Sequence, residues 1–389
     1  MSARADAVRT FAGVAADGTD PDLLVAVVCW ALLPGRSLDA LRRRCRDEAE
    51  PCGGSAAAAV AAAAGDPPAD LLAPATDVAA EWHRQGARVA LVGDRGSPGR
   101  LGEGWPEVDA PILLAWRGTP PVDGPAVAVV GARRATGYGI GVAAWLAESA
   151  ARAGARVVSG GAVGVDAAAH EAALEEPGGT TVVLGCGHAV AYPRVHARPG
   201  GLFDRVVDHG GSIVSELLPH VGVHPGTVRA RNRIVAGLAD AVVVVEGGEH
   251  SGALLTATAA VDRGRSVLAV PGDVRAPGSI APHRLLAEGA APCTDPGDLL
   301  DVLGTYPSAA GVEPAAGDTA TLGPLPPEAQ RELERAWPRP VRVDDLAARA
   351  SLSPGRLLAA LTRARVMGVV AESAEGVRLR HAPPPRHQP

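Results

Sequence analysis

From about residue 80 to residue 305, short apolar runs alternate with longer stretches that carry apolar residues at helical spacing. The runs are Val89–Val92, Val127–Val130, Arg156–Val158, Thr181–Leu184, Ile213–Val214, Ala241–Val245 and Ser266–Val270, and most end in Gly or a small polar residue. Nearly continuous Val and Leu is the pattern of strands buried on both faces, where neither side-chain direction meets water. The intervening Ile140–Ala153 and Asp166–Leu174 have helical length. Repeated strand–turn–helix units predict an α/β chain with an extended Rossmann-like, mostly parallel sheet and helices on both faces. Sheets of that kind bind ligands beyond the carboxyl ends of their strands, so chemistry is sought in the loops there.

The flanks have other patterns. Residues 1–75 hold the apolar segment Leu23–Leu33, then Leu38–Arg44 and an Ala run at 56–64, and Pro67-Pro68 ends the series. They predict a small SAM-like helical domain before the main domain at 76–305. Residues 306–322 are rich in Pro, Gly, Ala and Ser and read as a linker. Residues 323–380 predict helices at Pro327–Ala336, Val343–Ala350 and Pro354–Arg365, the last with Ser353 as its cap. Gly368–Glu372 and Val377–Arg380 then suggest a hairpin, so this segment reads as a winged helix, and 381–389 as a disordered tail.

Composition changes the picture in three places. All 37 basic residues are Arg, so Arg content alone says little about function and a P-loop lysine is impossible. The net charge of −6 confines any nucleic-acid site to a local patch. Five Cys without a CxxC spacing fit reduced thiols in a cytoplasm, and no Cys/His cluster has zinc-ligand spacing. The longest apolar run, Leu23–Leu33, is too short to span a bilayer, and the N-terminus lacks the pattern of a signal peptide. A soluble cytoplasmic protein without a membrane partner is the expectation.

Four loops stand out. Gly131-Ala132-Arg133-Arg134-Ala135-Thr136-Gly137 follows a strand and precedes a helix, where backbone N–H groups and a guanidinium together grip an anion. Its spacing is not GxGxxG, and the next strand ends in Ser159 rather than an acid for a ribose, so a nicotinamide cofactor is not expected. Ser159-Gly160-Gly161-Ala162-Val163-Gly164 leads to Asp166 as a candidate helix cap, with His170 four residues on. Arg229, Arg231 and Arg233 surround Asn232, the chain's sole Asn. On a helix, Arg229, Asn232 and Arg233 share one face while Arg231 falls on the apolar side. Ser251-Gly252, with Thr256 in the turn beyond, opens a helix after the most hydrophobic strand.

Taken in order, these segments, with Tyr192-Pro193, Ser215-Glu216 and Ala269–Gly272, resemble the DNA-processing protein A (DprA/Smf) family. The resemblance covers about 80–300. It implies a non-enzymatic, cofactor-free protein that binds single-stranded DNA and loads the RecA recombinase during natural transformation, as a homodimer. It also implies that the glycine loops and Arg residues hold DNA phosphates. The family's Phe-Pro before its Arg-Asn-Arg element is replaced by Val228-Arg229 here. Its Gly-x-Asn reads Ala281-Pro282-His283, and a position often basic in the glycine loop is Val163. Loss of the aromatic at Val228 leads one to expect weaker single-strand binding, with Tyr138 or His224 as substitute platforms in the alternative.

Two other functions share parts of this pattern. Nucleotide phosphoribohydrolases of related architecture carry PGGxGTxxE, but the aligned stretch has Leu254 where the catalytic acid stands. A winged helix alone could read duplex DNA or a partner through Arg356, Arg363 and Arg365.

Overall fold

The computed structural model describes residues 2–49, 51–52, 55–94, 97–103, 109–121, 124–304, 325, 327–336, 339–350, 352, 357, 361, 370–373 and 376–379. The chain forms two compact units, Met1–Ser308 and Ala309–Pro389.

Five helices open the first unit: α1 (Ala3–Ala12), α2 (Pro21–Leu32), α3 (Leu38–Ala49), α4 (Ala56–Ala64) and α5 (Leu72–Arg84). Ser2, Asp20 and Ser55 cap three of them by accepting a backbone N–H, and Pro21 sits at the first helical position, where its missing N–H costs nothing. Helix α2 is buried from Leu24 through Trp30, so the run that might have suggested a membrane segment is a core helix. No helix among the described residues is long and apolar enough to cross a membrane. Residue 75 lies inside α5, and the core of these helices continues into the first strands through Val89, Leu91 and Leu113.

The sheet has nine strands in the order β1-β2-β6-β5-β4-β3-β7-β8-β9. They are β1 (Arg88–Leu91), β2 (Leu113–Gly118), β3 (Ala126–Val130), β4 (Arg156–Ser159), β5 (Thr180–Val183), β6 (Ser212–Ser215), β7 (Ala241–Val244), β8 (Ser266–Ala269) and β9 (Ala291–Pro292). β3 to β9 pair in parallel, whereas β1, β2 and β6 pair antiparallel. Each of the seven apolar runs is a strand, within a residue or two. β2 and the two-residue β9 were not expected. An apolar run such as Leu113-Leu114-Ala115-Trp116 cannot be told from a buried helix by periodicity alone.

Burial on both faces explains the Val-rich strands. Ala128, Val130, Val242 and Val244 face α11 (Pro225–Gly237), α12 (Gly252–Val261) and α13 (Ile280–Ala287). Their neighbours Val127, Val129, Ala241 and Val243 face α7 (Gly137–Arg152), α8 (Val165–Ala173) and α14 (Pro296–Leu303). Short helices α6 (Gly99–Gly102), α9 (Arg194–Ala197) and α10 (Leu202–Asp208) complete the unit, which is the two-faced, mostly parallel architecture expected.

The chain runs outward from β3 through β4, β5 and β6, then returns to β7 on the other side of β3. That reversal opens a crevice at the carboxyl ends of β3 and β7, the place where open α/β sheets hold ligands.

In the second unit α15 (Pro327–Ala336) and α16 (Val343–Arg349) precede an antiparallel hairpin of β10 (Val370–Ser373) and β11 (Gly376–Leu379). Leu333, Leu346, Val377 and Leu379 share its core. Of the expected helix Pro354–Arg365 only Leu357 and Leu361 are described, both buried. The linker at 306–322 and the tail at 381–389 lie outside the described residues.

Candidate functional site

A cavity of about 1010 Å³ occupies the crevice at the β3–β7 reversal. Four of the loops singled out by sequence meet there. Gly131 and Arg133 come from the β3–α7 turn, Gly160 and Asp166 from the β4–α8 turn, Arg229, Arg231 and Asn232 from α11, and Ser251, Gly252 and Thr256 from α12. Ser159, Gly161, Gly164 and Arg233 do not line it.

Two of the three glycine turns expected to cradle an anion already hold one, supplied by the protein. At the start of α7 the Glu246 carboxylate accepts the Thr136 N–H at 2.9 Å and the Thr136 hydroxyl at 2.5 Å. A Cβ on Gly139 would overlap that carboxylate, so the glycine admits Glu246 rather than a phosphate. In the β4–α8 loop Asp166 Oδ2 accepts the N–H groups of Gly160 (3.1 Å) and Ala162 (3.3 Å). Asp166 is therefore not the helix cap that the sequence suggested. Gly164 precedes the helix, and the Asp166 carboxylate reaches back to close the loop. Burial pushes the Asp166 carboxyl up, against the opposing pull of the Arg231 charge and the two amides.

The Arg cluster separates into three roles. Arg231 is buried and donates to the carbonyls of Gly160 and Val183, while its Nε donates to Asn232 Oδ1 at 3.0 Å. A Cβ on Gly160 would overlap its guanidinium. Asn232 continues the chain of contacts, its Nδ2 donating to the Gly252 carbonyl at 3.1 Å. Arg231 and Asn232 thus tie α11 to β4, β5 and the start of α12 instead of projecting to solvent as phosphate ligands. Arg233 is engaged by Glu216 and by Asp109, whose Oδ2 lies 3.0 Å from its Nε. Arg229 is exposed on the cavity wall and forms no ion pair among the described residues.

Arg133 is likewise exposed on the wall without a carboxylate partner among the described residues, its Nη1 3.5 Å from the Tyr192 hydroxyl. Ser251 caps α12 by accepting the Ala253 N–H at 3.2 Å, and Thr256 is buried with its hydroxyl 3.5 Å from the Gly252 carbonyl. The α12 turn is the one of the three that no carboxylate of the described residues fills.

Ser159 donates its hydroxyl to the Val129 carbonyl at 2.7 Å inside the sheet. Gly161 and Gly164 adopt positive φ, +67° and +87°, a conformation costly for other residues, and shape the turn from behind. Tyr138 lies off the cavity, its hydroxyl donating to the Pro271 carbonyl at 2.8 Å. His224 lines the cavity and caps α11, its Nδ1 accepting from Gly226 (3.2 Å) and Thr227 (3.3 Å). His170 does not meet Asp166; its Nδ1 is 2.7 Å from Thr180 Oγ1. Among the described residues no group of three or more His, Cys, Asp or Glu could hold a metal. Sequence reasoning named Tyr192 only as part of the family resemblance and gave no role to Glu246, whose partner Thr136 is 110 residues away.

A family model described as DNA recombination-mediator protein A matches residues 88–304. The chain is 42% identical over 255 residues to a DNA processing protein DprA of Mycobacterium tuberculosis, covering 64% of this chain and 63% of that protein. It is 40% identical over 177 residues to protein Smf of Escherichia coli, covering 46% of each. The chain thus spans less than two thirds of the length of these relatives. The X-ray structure of DNA processing protein A from Streptococcus pneumoniae superimposes with a TM-score of 0.56 at 27% identity, over 71% of this chain and 96% of that one.

Proposed function

The chain belongs to the DNA recombination-mediator protein A family, and we propose that it binds single-stranded DNA in the β3–β7 cavity and passes it to the RecA recombinase. The observation that carries this reading is the pairing of two exposed guanidinium groups, Arg133 and Arg229, with the α12 turn across one cavity. Backbone amides at a helix start and unpaired Arg side chains are two of the protein groups that position phosphates without reading sequence. The cavity offers them on an otherwise acidic chain. In this reading the site acts by binding alone, in the cytoplasm, as a homodimer, and the second unit is a winged helix.

A phosphoribohydrolase reading requires an acid where Leu254 stands; Glu246 is engaged by Thr136, and the carboxylates that line the cavity are Asp166, which closes the β4–α8 loop, and Glu249. Titration of the purified chain with single- and double-stranded oligonucleotides across salt concentrations tests the proposal. Preference for single strands with a steep log–log salt dependence is expected. Equal affinity for duplex, or turnover of nucleoside monophosphates, would overturn it. A second titration in the presence of RecA, reading filament assembly on protein-coated strands, tests the delivery step.

A further inference from the structure

Single-strand sites combine a basic wall that follows the backbone with aromatic faces on which bases stack. The α11 residue that stands where the resembled family carries an aromatic, Val228, lines the cavity and has no π face. The two substitutes suggested by sequence are both committed elsewhere. Tyr138 is held at Pro271, off the cavity, and His224 uses its ring nitrogen to cap α11.

One ring answers the description. Tyr192 is the only Phe, Trp or Tyr among the described residues that line the cavity, and 36% of it is exposed. A buried Tyr would explain itself as core. This one leaves a third of its surface open beside Arg133, whose guanidinium has no carboxylate partner among the described residues, in a chain whose aromatics are scarce. Its hydroxyl lies 3.5 Å from Arg133 Nη1, so a base on the ring would place its own phosphate within the reach of Arg133.

We propose that Tyr192 is the base-stacking platform of the cavity, replacing the aromatic absent at Val228, with Arg133 holding the adjoining phosphate. The inference rests on the single-strand reading above and adds to it the face that receives a base. A π face without hydrogen-bond readout makes binding tolerant of sequence, because each base can stack.

The experiment compares the full chain with Tyr192→Phe, Tyr192→Leu and Arg133→Ala on a thymidine oligonucleotide and on the same oligonucleotide with abasic sites. Thermal melts accompany each variant. Leu keeps an apolar filler without a π face, so loss of binding by a well-folded Tyr192→Leu cannot be ascribed to collapse. The expected result is retention of affinity by Phe and loss of roughly 5- to 150-fold by Leu, with the salt slope unchanged. The parent should bind the abasic strand as weakly as Tyr192→Leu binds the normal one. Affinity unchanged in Tyr192→Leu, with loss in Arg133→Ala, overturns the platform and leaves the single-strand reading standing. Absence of single-strand binding by the parent overturns both.

Discussion

Arg233 and Glu216 form an ion pair in which each side chain is only 11% exposed. Arg233 belongs to the Arg-Asn-Arg element of α11 and Glu216 to the segment after β6, so the pair ties that helix to the end of the strand. Asp109 completes the arrangement from the other side and also meets Arg42 of α3. The guanidinium that sequence placed on the DNA-facing side is thereby a tie between the front helices and the sheet.

Arg233→Ala should therefore destabilise the first unit. Removing one partner of a nearly buried pair leaves the other charge without compensation, a loss on the order of 3 kcal/mol. Urea denaturation of the variant checks this. A midpoint equal to that of the parent, with weakened DNA binding, would return Arg233 to the phosphate role.

Gly160→Ala attacks the other structural arginine. The added methyl would overlap the Arg231 guanidinium and force it from the Gly160 and Val183 carbonyls. Loss of hydrogen bonds by a buried cation costs roughly 3 kcal/mol, and Asp166 loses the positive charge that offsets its burial. The Tm should fall by several degrees. A Gly161→Ala variant is expected to be destabilised too, through its positive φ, but without altering Arg231.

Much of this division was legible from periodicity alone. The helical repeat of 100° per residue put Arg231 on the apolar side of α11, where it lies, and put Arg229 outward, where it lies as well. The fate of Arg233 was not legible, because Asp109 comes from a loop more than a hundred residues earlier and no local pattern names it. The glycine turns illustrate the same limit. Glycines before a helix signal that something negative approaches the backbone, and the sequence is silent on whether that group is a ligand or Glu246. Strands β3 to β8 announced themselves by Val content, while β2 pairs antiparallel through Ala115 and Trp116, which carry no strand-specific pattern.

Two of the three buried histidines, His170 and His188, predict acid sensitivity most strongly. Burial pushes His170 down to about 3 and His188 to about 4, both from an ordinary 6.5. Thr180 donates its hydroxyl to the Val157 carbonyl at 2.8 Å, so the His170 Nδ1–H donates to Thr180 and the ring stays neutral. A base whose folded pKa is depressed takes up protons more readily when unfolded. Its contribution to stability is intact above pH 6.5 and is lost as the pH falls from there toward the folded value. Between pH 7 and pH 5 each histidine should cost roughly 2 kcal/mol. Urea midpoints measured across that range check the sum, and His170→Asn, whose amide can donate to Thr180, should remove about half of the dependence. A flat profile in the parent would show that neither ring is buried neutral.

Arg133 and Arg229 carry the final prediction, because they are the site's exposed cations without a carboxylate partner among the described residues. Each phosphate neutralised on a single strand releases counterions worth a log–log salt slope of roughly 0.7. Arg133→Ala and Arg229→Ala should each flatten the slope by about that amount, and the double variant by about twice it, with the Tm unchanged because neither side chain supports the fold. Arg231→Ala should behave in the opposite way, lowering the Tm through its lost carbonyl bonds and weakening DNA binding only as the cavity deforms. The contrast follows from geometry that the residue type conceals: of the four Arg lining the cavity, Arg133 and Arg229 face solvent, Arg231 faces the sheet and Arg284 is paired with Glu288. Fluorescence anisotropy with a labelled oligonucleotide at four salt concentrations, together with thermal melts, separates the cases. If Arg133→Ala and Arg229→Ala keep the parent's slope while Arg231→Ala flattens it without loss of Tm, the phosphates enter by the route from which the structure turns Arg231 away.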